Sequence, residues 1–295
     1  MKRAVFILLV VQTFCFSQFD EVKLLQDKLI HEELTGSNVA MVYKEGKTIF
    51  FNIQNSGKVG DRNISSQSYK PYKETLFPIW SMSKPITTVA TMILIERGVI
   101  KLNDPVSLYI PTLKNMNCES ENGIRPCAKE IKIIDLLTHR SGLGYYGNKG
   151  YGYGYTNTIR YNTLEEFAND LSDIVLKFEP GSGYFYGINQ AVLGRVIEVA
   201  SKQTFYKFLK KELFDPLEMS ETKFYLTEAD RSRFQPLFIN TGALKGFTFE
   251  LNELSYQESS QAYFGGEGLI STLGDYSNFC KMLLNGGTYN GKKII

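Results

Sequence analysis

The sequence predicts an α+β chain in which a small antiparallel sheet, flanked by helices, lies beside a large helical region. Two β-rich runs, Asn38 to Tyr43 and Thr48 to Ile53, are separated by Lys44-Glu45-Gly46-Lys47. A short connection carrying glycine between two such runs marks a β-hairpin. From Ser81 onward the apolar spacing changes, and Ile86, Val89, Ala90, Ile93 and Leu94 share one face of a helix that Gly98 should end. Two strands alone are marginally stable, so further strands or a helix must cover the apolar face of the hairpin.

Three more helices follow from periodicity: Leu164 to Leu176, Asn189 to Leu213 with a break near Gln203, and Leu273 to Leu284, entered through Thr272 and Asp275 as a capping pair. No Pro/Ser-rich linker divides the chain, and residues 18–295 read as one domain. No strand stands out between Phe264 and the end, where Lys292-Lys293-Ile294-Ile295 reads as the start of a further element, so the domain is expected to be incomplete at its C-terminus.

Lys2 and Arg3 lead into an apolar run from Ala4 to Phe16, and Ser17 is a small residue suited to cleavage. The run falls short of the ~20 apolar residues of a membrane span. It reads as a signal peptide over residues 1–17, which makes the mature chain exported, periplasmic or extracellular. Bulky Phe14 before Cys15 argues against a lipid anchor, so no stable membrane attachment is expected after cleavage. Removing residues 1–17 takes Lys2 and Arg3 from 33 basic residues and nothing from 31 acidic ones, which leaves 31 of each. Without a basic excess there is no electrostatic footprint for nucleic acid, and a small molecule or a cell-wall peptide is the expected partner. The oligomeric state is open.

In an oxidising compartment Cys118 and Cys127, flanking a polar stretch with Asn122, Gly123 and Pro126, would close a disulfide. Cys280 falls with Tyr276, Phe279, Leu283 and Leu284 on one apolar helical face and is expected to be buried. With only His31 and His139 and no C-x-x-C, neither a metal nor an organic cofactor is expected. The segment Gly142 to Tyr155 sets Tyr145, Tyr146, Tyr151, Tyr153 and Tyr155 among glycines. Two readings fit it equally, an ordinary surface loop and an aromatic wall beside a pocket.

Ser81-Met82-Ser83-Lys84 opens the helix that begins the helical region, so the Ser81 hydroxyl and the Lys84 amine lie one turn apart on one face. A serine hydroxyl becomes nucleophilic when a neighbouring base takes its proton, and a desolvated lysine is one way to arrange that. A helix N-terminus adds a positive field that favours an oxyanion over the attacked carbonyl.

Pro78-Ile79-Trp80-Ser81-Met82-Ser83-Lys84-Pro85-Ile86-Thr87 is similar to the nucleophile segment of the serine β-lactamase and penicillin-binding protein superfamily, in its class C β-lactamase, esterase and D-amino-peptidase branch. Four further segments resemble family landmarks in the family's order: Leu102-Asn103-Asp104-Pro105-Val106, Asp135 to Leu143, Pro180-Gly181-Ser182 through Tyr186 to Gly194, and Gly265-Gly266-Glu267-Gly268-Leu269. The resemblance implies a β-lactamase-like fold, an acyl-enzyme on Ser81 assisted by Lys84, and Tyr186 as the tyrosine that exchanges protons with the serine and the leaving group. A phenol with an ordinary pKa near 10 needs a nearby ammonium to serve at neutral pH. The family's usual spacing is Tyr, one residue, Asn; here Tyr186-Gly187-Ile188-Asn189 sets the asparagine one residue further. Asn189, Tyr145 and Tyr146 are the expected substrate contacts.

The family's Lys-Thr-Gly or His-x-Gly strand has no match before Ile295. Glu165-Glu166 imitates a deacylating glutamate but falls in an amphipathic helix, and His139 belongs to a structural segment of the family. Neither is assigned to catalysis, and no G-x-S-x-G elbow is present. The chemistry expected is acyl transfer to water from an ester, a D-alanyl peptide or a lactam. The alternative is a non-catalytic cell-envelope binding or assembly protein that keeps the fold. The displaced asparagine and the aromatic segment favour short-chain esters over cephalosporins.

Overall fold

The computed structural model describes residues 19–35, 37–55, 75–145, 161–231, 233–235, 238–240, 245–247 and 256–295. The expected signal segment 1–17 and Tyr146, Tyr151, Tyr153 and Tyr155 lie outside them. The chain divides into two compact units, Met1–Thr75 with Arg233–Glu250, and Leu76–Ser232 with Leu251–Ile295.

In the first unit residues 19–31 form helix α1. Strands β1 (Ser37–Lys44) and β2 (Lys47–Asn55) pair antiparallel, with Val39 opposite Ile53 and Met41 opposite Phe51. The hairpin expected from the sequence is present, and its required cover is α1. Phe19 stacks on Phe50 at 4.8 Å between ring centroids, and Asn52 Nδ2 donates to Gln26 Oε1 at 3.0 Å. Exposed Leu24 and Leu25 blur the apolar stripe of α1, which keeps its periodicity weak in the sequence.

The second unit begins with β3 (Phe77–Pro78), a 3₁₀ turn over Trp80–Met82 and helix α2 (Ser83–Glu96). Helix α2 closes through Gly98 N–H on Ile95 O and Val99 N–H on Leu94 O, with Gly98 at φ +69°. Strands β4 (Asn117–Ser120) and β5 (Gly123–Pro126) form a hairpin, after which come α3 (Ile133–Leu137) and α4 (Leu164–Asp170). Strand β6 (Val175–Leu176) precedes α5 (Asn189–Ser201) and α6 (Phe205–Leu209). Helix α5 is central: α2, α3, α4 and α6 all pack on it, and Ala191, Val192, Leu193, Val196 and Ile197 have no exposed surface. Such closely packed apolar side chains are what a core of this kind requires. Phe167 of α4 meets Phe264 edge-on at 5.2 Å and Tyr161 at 5.6 Å, which fastens the segment leading to Gly265.

Three expectations need correction. The helix from Leu164 does not reach Leu176: it ends at Asp170, passes through a 3₁₀ turn over Leu171–Asp173, and Val175–Leu176 pair parallel with Asn117 and Cys118. β-Branched Ile174 and Val175 suit that extended pairing. The break expected near Gln203 is present: α5 closes through Lys202 (φ +57°), Thr204 caps α6 through Lys207 N–H, and Lys210–Phe214 continues as a π turn. Strands do occur after Phe264, since Ile270–Ser271 pairs with β3 and Thr288–Tyr289 with Lys292–Lys293. These pairs are two residues long, below what periodicity detects. The final helix does span Leu273–Leu284 with Thr272 Oγ1 accepting Asp275 N–H, but Cys280 is exposed, with Leu283 46% and Leu284 67% exposed. Of the expected face Phe279 is buried, and Met282 joins it there.

Cys118 and Cys127 are joined as a disulfide across the β4–β5 hairpin, Cα to Cα 5.2 Å. Beside it Glu179 accepts Ala128 N–H at 2.9 Å and Arg125 Nη1 at 2.6 Å. These contacts hold its carboxyl below the ordinary range although burial alone would raise it. The two sulfurs and Glu179 lie close enough together to hold a metal ion, but each is already committed to these contacts. Closing so short a loop should contribute about 2–3 kcal/mol through the unfolded chain. Reduction is therefore expected to lower Tm by several degrees without loss of helical circular dichroism. Peptide mapping of the unreduced protein should recover Cys118 and Cys127 in one linked fragment; finding both as free thiols would rule the pairing out.

Candidate active site

Ser81 lies in the 3₁₀ turn that delivers the chain into α2, and its side chain is exposed. The residue before it, Trp80, takes φ +43°, a conformation that is uncommon for a bulky side chain and is found where surrounding structure imposes it. The turn is braced from the glycine segment, since Ile79 N–H donates to Leu269 O and Leu269 N–H to Ser83 Oγ, at 3.0 and 3.2 Å.

Lys84, one turn into the helix, is 7% exposed. Its Nζ lies 3.1 Å from Ser81 Oγ, 3.0 Å from Tyr145 Oη and 2.8 Å from the Gly266 carbonyl. Three acceptors around one amine use the three hydrogens of an ammonium. The Gly266 carbonyl reaches Lys84 because Gly265 packs directly on α2. Thr87 Oγ1 donates to Gly265 O at 2.7 Å, and a Cβ on Gly265 would lie 2.6 Å from Thr87 Oγ1 and 2.7 Å from Gln190 O. Any larger residue would lift the carbonyl away.

Tyr186 completes the group. Its Oη donates to Ser81 Oγ at 2.7 Å, and Lys84 Nζ stands 4.8 Å from its ring centroid. Partial burial raises its phenol, but the adjacent Lys84 ammonium, the hydrogen bond with Ser81 and the nearness of Tyr145 together outweigh burial and bring it below the ordinary value. Ser81, Lys84, Tyr145 and Tyr186, drawn from three separate stretches of chain, thus share one hydrogen-bonded cluster.

Two expected substrate contacts fare differently. Tyr145 faces the cluster, whereas Asn189 is fully buried at the start of α5 and does not line the site, which corrects its assignment as a substrate contact. Its amide donates to Leu143 O at 3.2 Å and lies 2.9 Å from His139 Nδ1, while its Oδ1 accepts Ser141 Oγ at 2.5 Å. The extra residue between Tyr186 and the asparagine is the physical reason: it places Asn189 in the first turn of α5, facing the core. Tyr146 lies outside the described residues. Glu166 accepts Asn162 N–H and receives its own cap from Thr163, while Glu165 pairs with Arg195 at 3.0 Å, so the glutamate pair serves the start of α4.

The β-lactamase family model matches residues 27–295. The chain belongs to the β-lactamase family. Among its β-lactamase-family relatives, esterase EstB of Burkholderia gladioli is 30% identical over 70% of this chain and 51% of its own length. Lovastatin esterase of Penicillium rubens is 27% identical over 76% of this chain and 59% of its own. The structure of EstCE1, described as a hydrolase with promiscuous acyltransferase activity, superposes with TM-score 0.70 at 23% identity, covering 94% of this chain and 74% of that one. The chain spans about half to two thirds of the length of the curated relatives it matches. The expected α+β, β-lactamase-like fold is borne out by the family match and by this superposition.

The cluster makes a direct prediction about charge. Lys84→Met deletes the ammonium that lowers Tyr186 and leaves burial opposed only by the contacts with Ser81 and Tyr145. In tyrosine-labelled ¹³C NMR, the resonance that Tyr186→Phe removes should titrate below the ordinary phenol value of about 10 in the wild type and at a higher midpoint in Lys84→Met. An unmoved midpoint would show that Lys84 does not set the phenol.

Proposed function

We propose that this protein is an exported serine hydrolase that forms an acyl-enzyme on Ser81 and prefers esters with small acyl groups. The observation that carries the reading is the Ser81 hydroxyl bracketed by Tyr186 Oη at 2.7 Å and Lys84 Nζ at 3.1 Å. In the ionised form the Tyr186 phenolate takes the Ser81 proton as Oγ bonds to the acyl carbon. Collapse of the tetrahedral adduct expels the alkoxide, which takes that proton back from Tyr186. Water then repeats the sequence: Tyr186 removes its proton, the hydroxide bonds to the acyl carbon, and Ser81 Oγ leaves with the proton returned. Lys84 stays an ammonium throughout and stabilises the phenolate and the developing charge.

Preference for esters is supported by three features. Met82, directly after the nucleophile, and Tyr184, two residues before Tyr186, are 48% and 67% exposed and offer apolar surface. Asn189 is spent in the interior and leaves no amide at the site from that position. Two relatives carry esterase names. Peptides and lactams have poorer or more constrained leaving groups and ask more of the proton relay. Export is supported by the basic and apolar N-terminal segment and by the Cys118–Cys127 pairing, which needs an oxidising compartment.

A tagged fluorophosphonate should label the full-length wild type at Ser81 and leave Ser81→Ala unlabelled. Failure of any acylating probe to label well-folded protein would favour the non-catalytic envelope protein. Labelling should rise with pH as the phenolate fraction grows and level off above the lowered Tyr186 midpoint. Tyr186→Phe should slow it by about 10²- to 10⁴-fold. On one preparation, kcat/KM for p-nitrophenyl butyrate should exceed that for nitrocefin and for a D-alanyl-D-alanine peptide; the reverse order would overturn the ester preference alone.

A further inference from the structure

Tyr186 belongs to a stretch without regular secondary structure, yet its hydroxyl holds hydrogen-bond distance to Ser81. The chain on either side of it is tied to one residue. Phe185 N–H donates to the His139 carbonyl at 2.9 Å, and Gly187 N–H points to His139 Nδ1 at 3.4 Å. The imidazole also packs against the Tyr186 ring, centroid to centroid 4.7 Å. Gly187 fits there because it has no side chain: a Cβ would lie 2.5 Å from both Gly144 Cα and Leu143 O.

The imidazole is in turn held from behind. Asn189 Nδ2 donates to Leu143 O and so presents its other hydrogen to His139 Nδ1 at 2.9 Å. Ser141 Oγ fixes that amide by donating to Oδ1, and its own oxygen accepts Leu143 N–H at 3.0 Å. With two N–H groups, from Asn189 and Gly187, aimed at one ring nitrogen, Nδ1 must carry a lone pair and the ring hydrogen must sit on Nε2. A second proton on Nδ1 would face both donors inside the core. Among the described residues, the titratable groups facing the ring are Lys84, Tyr184 and Tyr186. Burial, followed by the Lys84 charge, pushes the imidazole down to about 4. With Nδ1 committed to these donors, His139 has no lone pair left with which to take the Ser81 proton.

We propose that His139, locked by Asn189 and Ser141 as a neutral imidazole, is the positioning residue of this site: it holds the chain on both sides of Tyr186 and so sets the phenol against Ser81 and Lys84. The proposal deepens the hydrolase reading and rests on the role given there to Tyr186.

Two substitutions separate positioning from mere filling. His139→Phe keeps a flat ring beside Tyr186 but removes the Nδ1 acceptor. His139→Asn restores an acceptor near the Nδ1 position, and asparagine tolerates the φ +55° that His139 adopts. The ¹³C signal of the Tyr186 phenol is the first readout, because it needs no turnover. In His139→Phe the midpoint should rise above the wild-type value, kcat for p-nitrophenyl butyrate should fall about tenfold or more, and KM should change less than about twofold. His139→Asn should bring both the midpoint and kcat most of the way back. If His139→Phe does not fold, Ser141→Ala, which frees the Asn189 amide and the Leu143 N–H while leaving the imidazole in place, carries the test with a smaller upward shift of the same midpoint. The proposal is overturned by a wild-type midpoint in His139→Phe or in Ser141→Ala, or by equal loss in the Phe and Asn variants tracking Tm alone. A wild type whose phenol behaves as described but whose Ser81 takes no acyl probe would instead sink the hydrolase reading and leave the positioning role standing.

Discussion

Everything near Ser81 is organised by one buried cation. An ammonium taken from water needs acceptors for all three hydrogens, and leaving one unmet in the interior is costly. Lys84 draws its acceptors from the turn before α2, from Tyr145 after α3, and from Gly266, 182 positions away. A hydrogen bond to a charged group is worth about 1.5–3 kcal/mol. Satisfying Lys84 therefore fastens two remote stretches to the start of one helix, beside the nucleophile, which inherits its position from that fastening.

What was legible in the sequence was whatever is local. The Ser81 to Lys84 spacing, the β1–β2 hairpin, the Thr272 cap and the break after α5 depend on neighbours within a few residues, and the structure places all of them as the pattern implied. Tyr186 was reachable through likeness to a known family, because its partner Ser81 lies 105 positions away. The function of Asn189 was not reachable. Spacing shows that it opens a helix, but only the packed arrangement shows that this helix turns the amide inward to His139 and Ser141.

Periodicity also misled in a consistent way. It reports which residues share a helical face and says nothing of what lies opposite. Cys280, Leu283 and Leu284 share such a face and are exposed, while the same reasoning applied to α2 named Ile86, Val89, Ala90, Ile93 and Leu94, which are buried. The stretch from Leu164 shows the complementary error, in which a few apolar residues beyond Asp170 extended a helix that the pairing of Val175 and Leu176 with Asn117 and Cys118 turns into a strand.

The three oxygens that hold Lys84 are all neutral: a serine hydroxyl, a phenol and a peptide carbonyl. With Tyr186 protonated, this set of groups carries one unbalanced positive charge. Ionisation of the phenol, or a negative oxygen forming on a bound reactant, cancels it. The resting cluster is thus an incomplete ion pair whose missing member is created only as bonds change, and a group preorganised in that way spends little on rearrangement when the charge arrives.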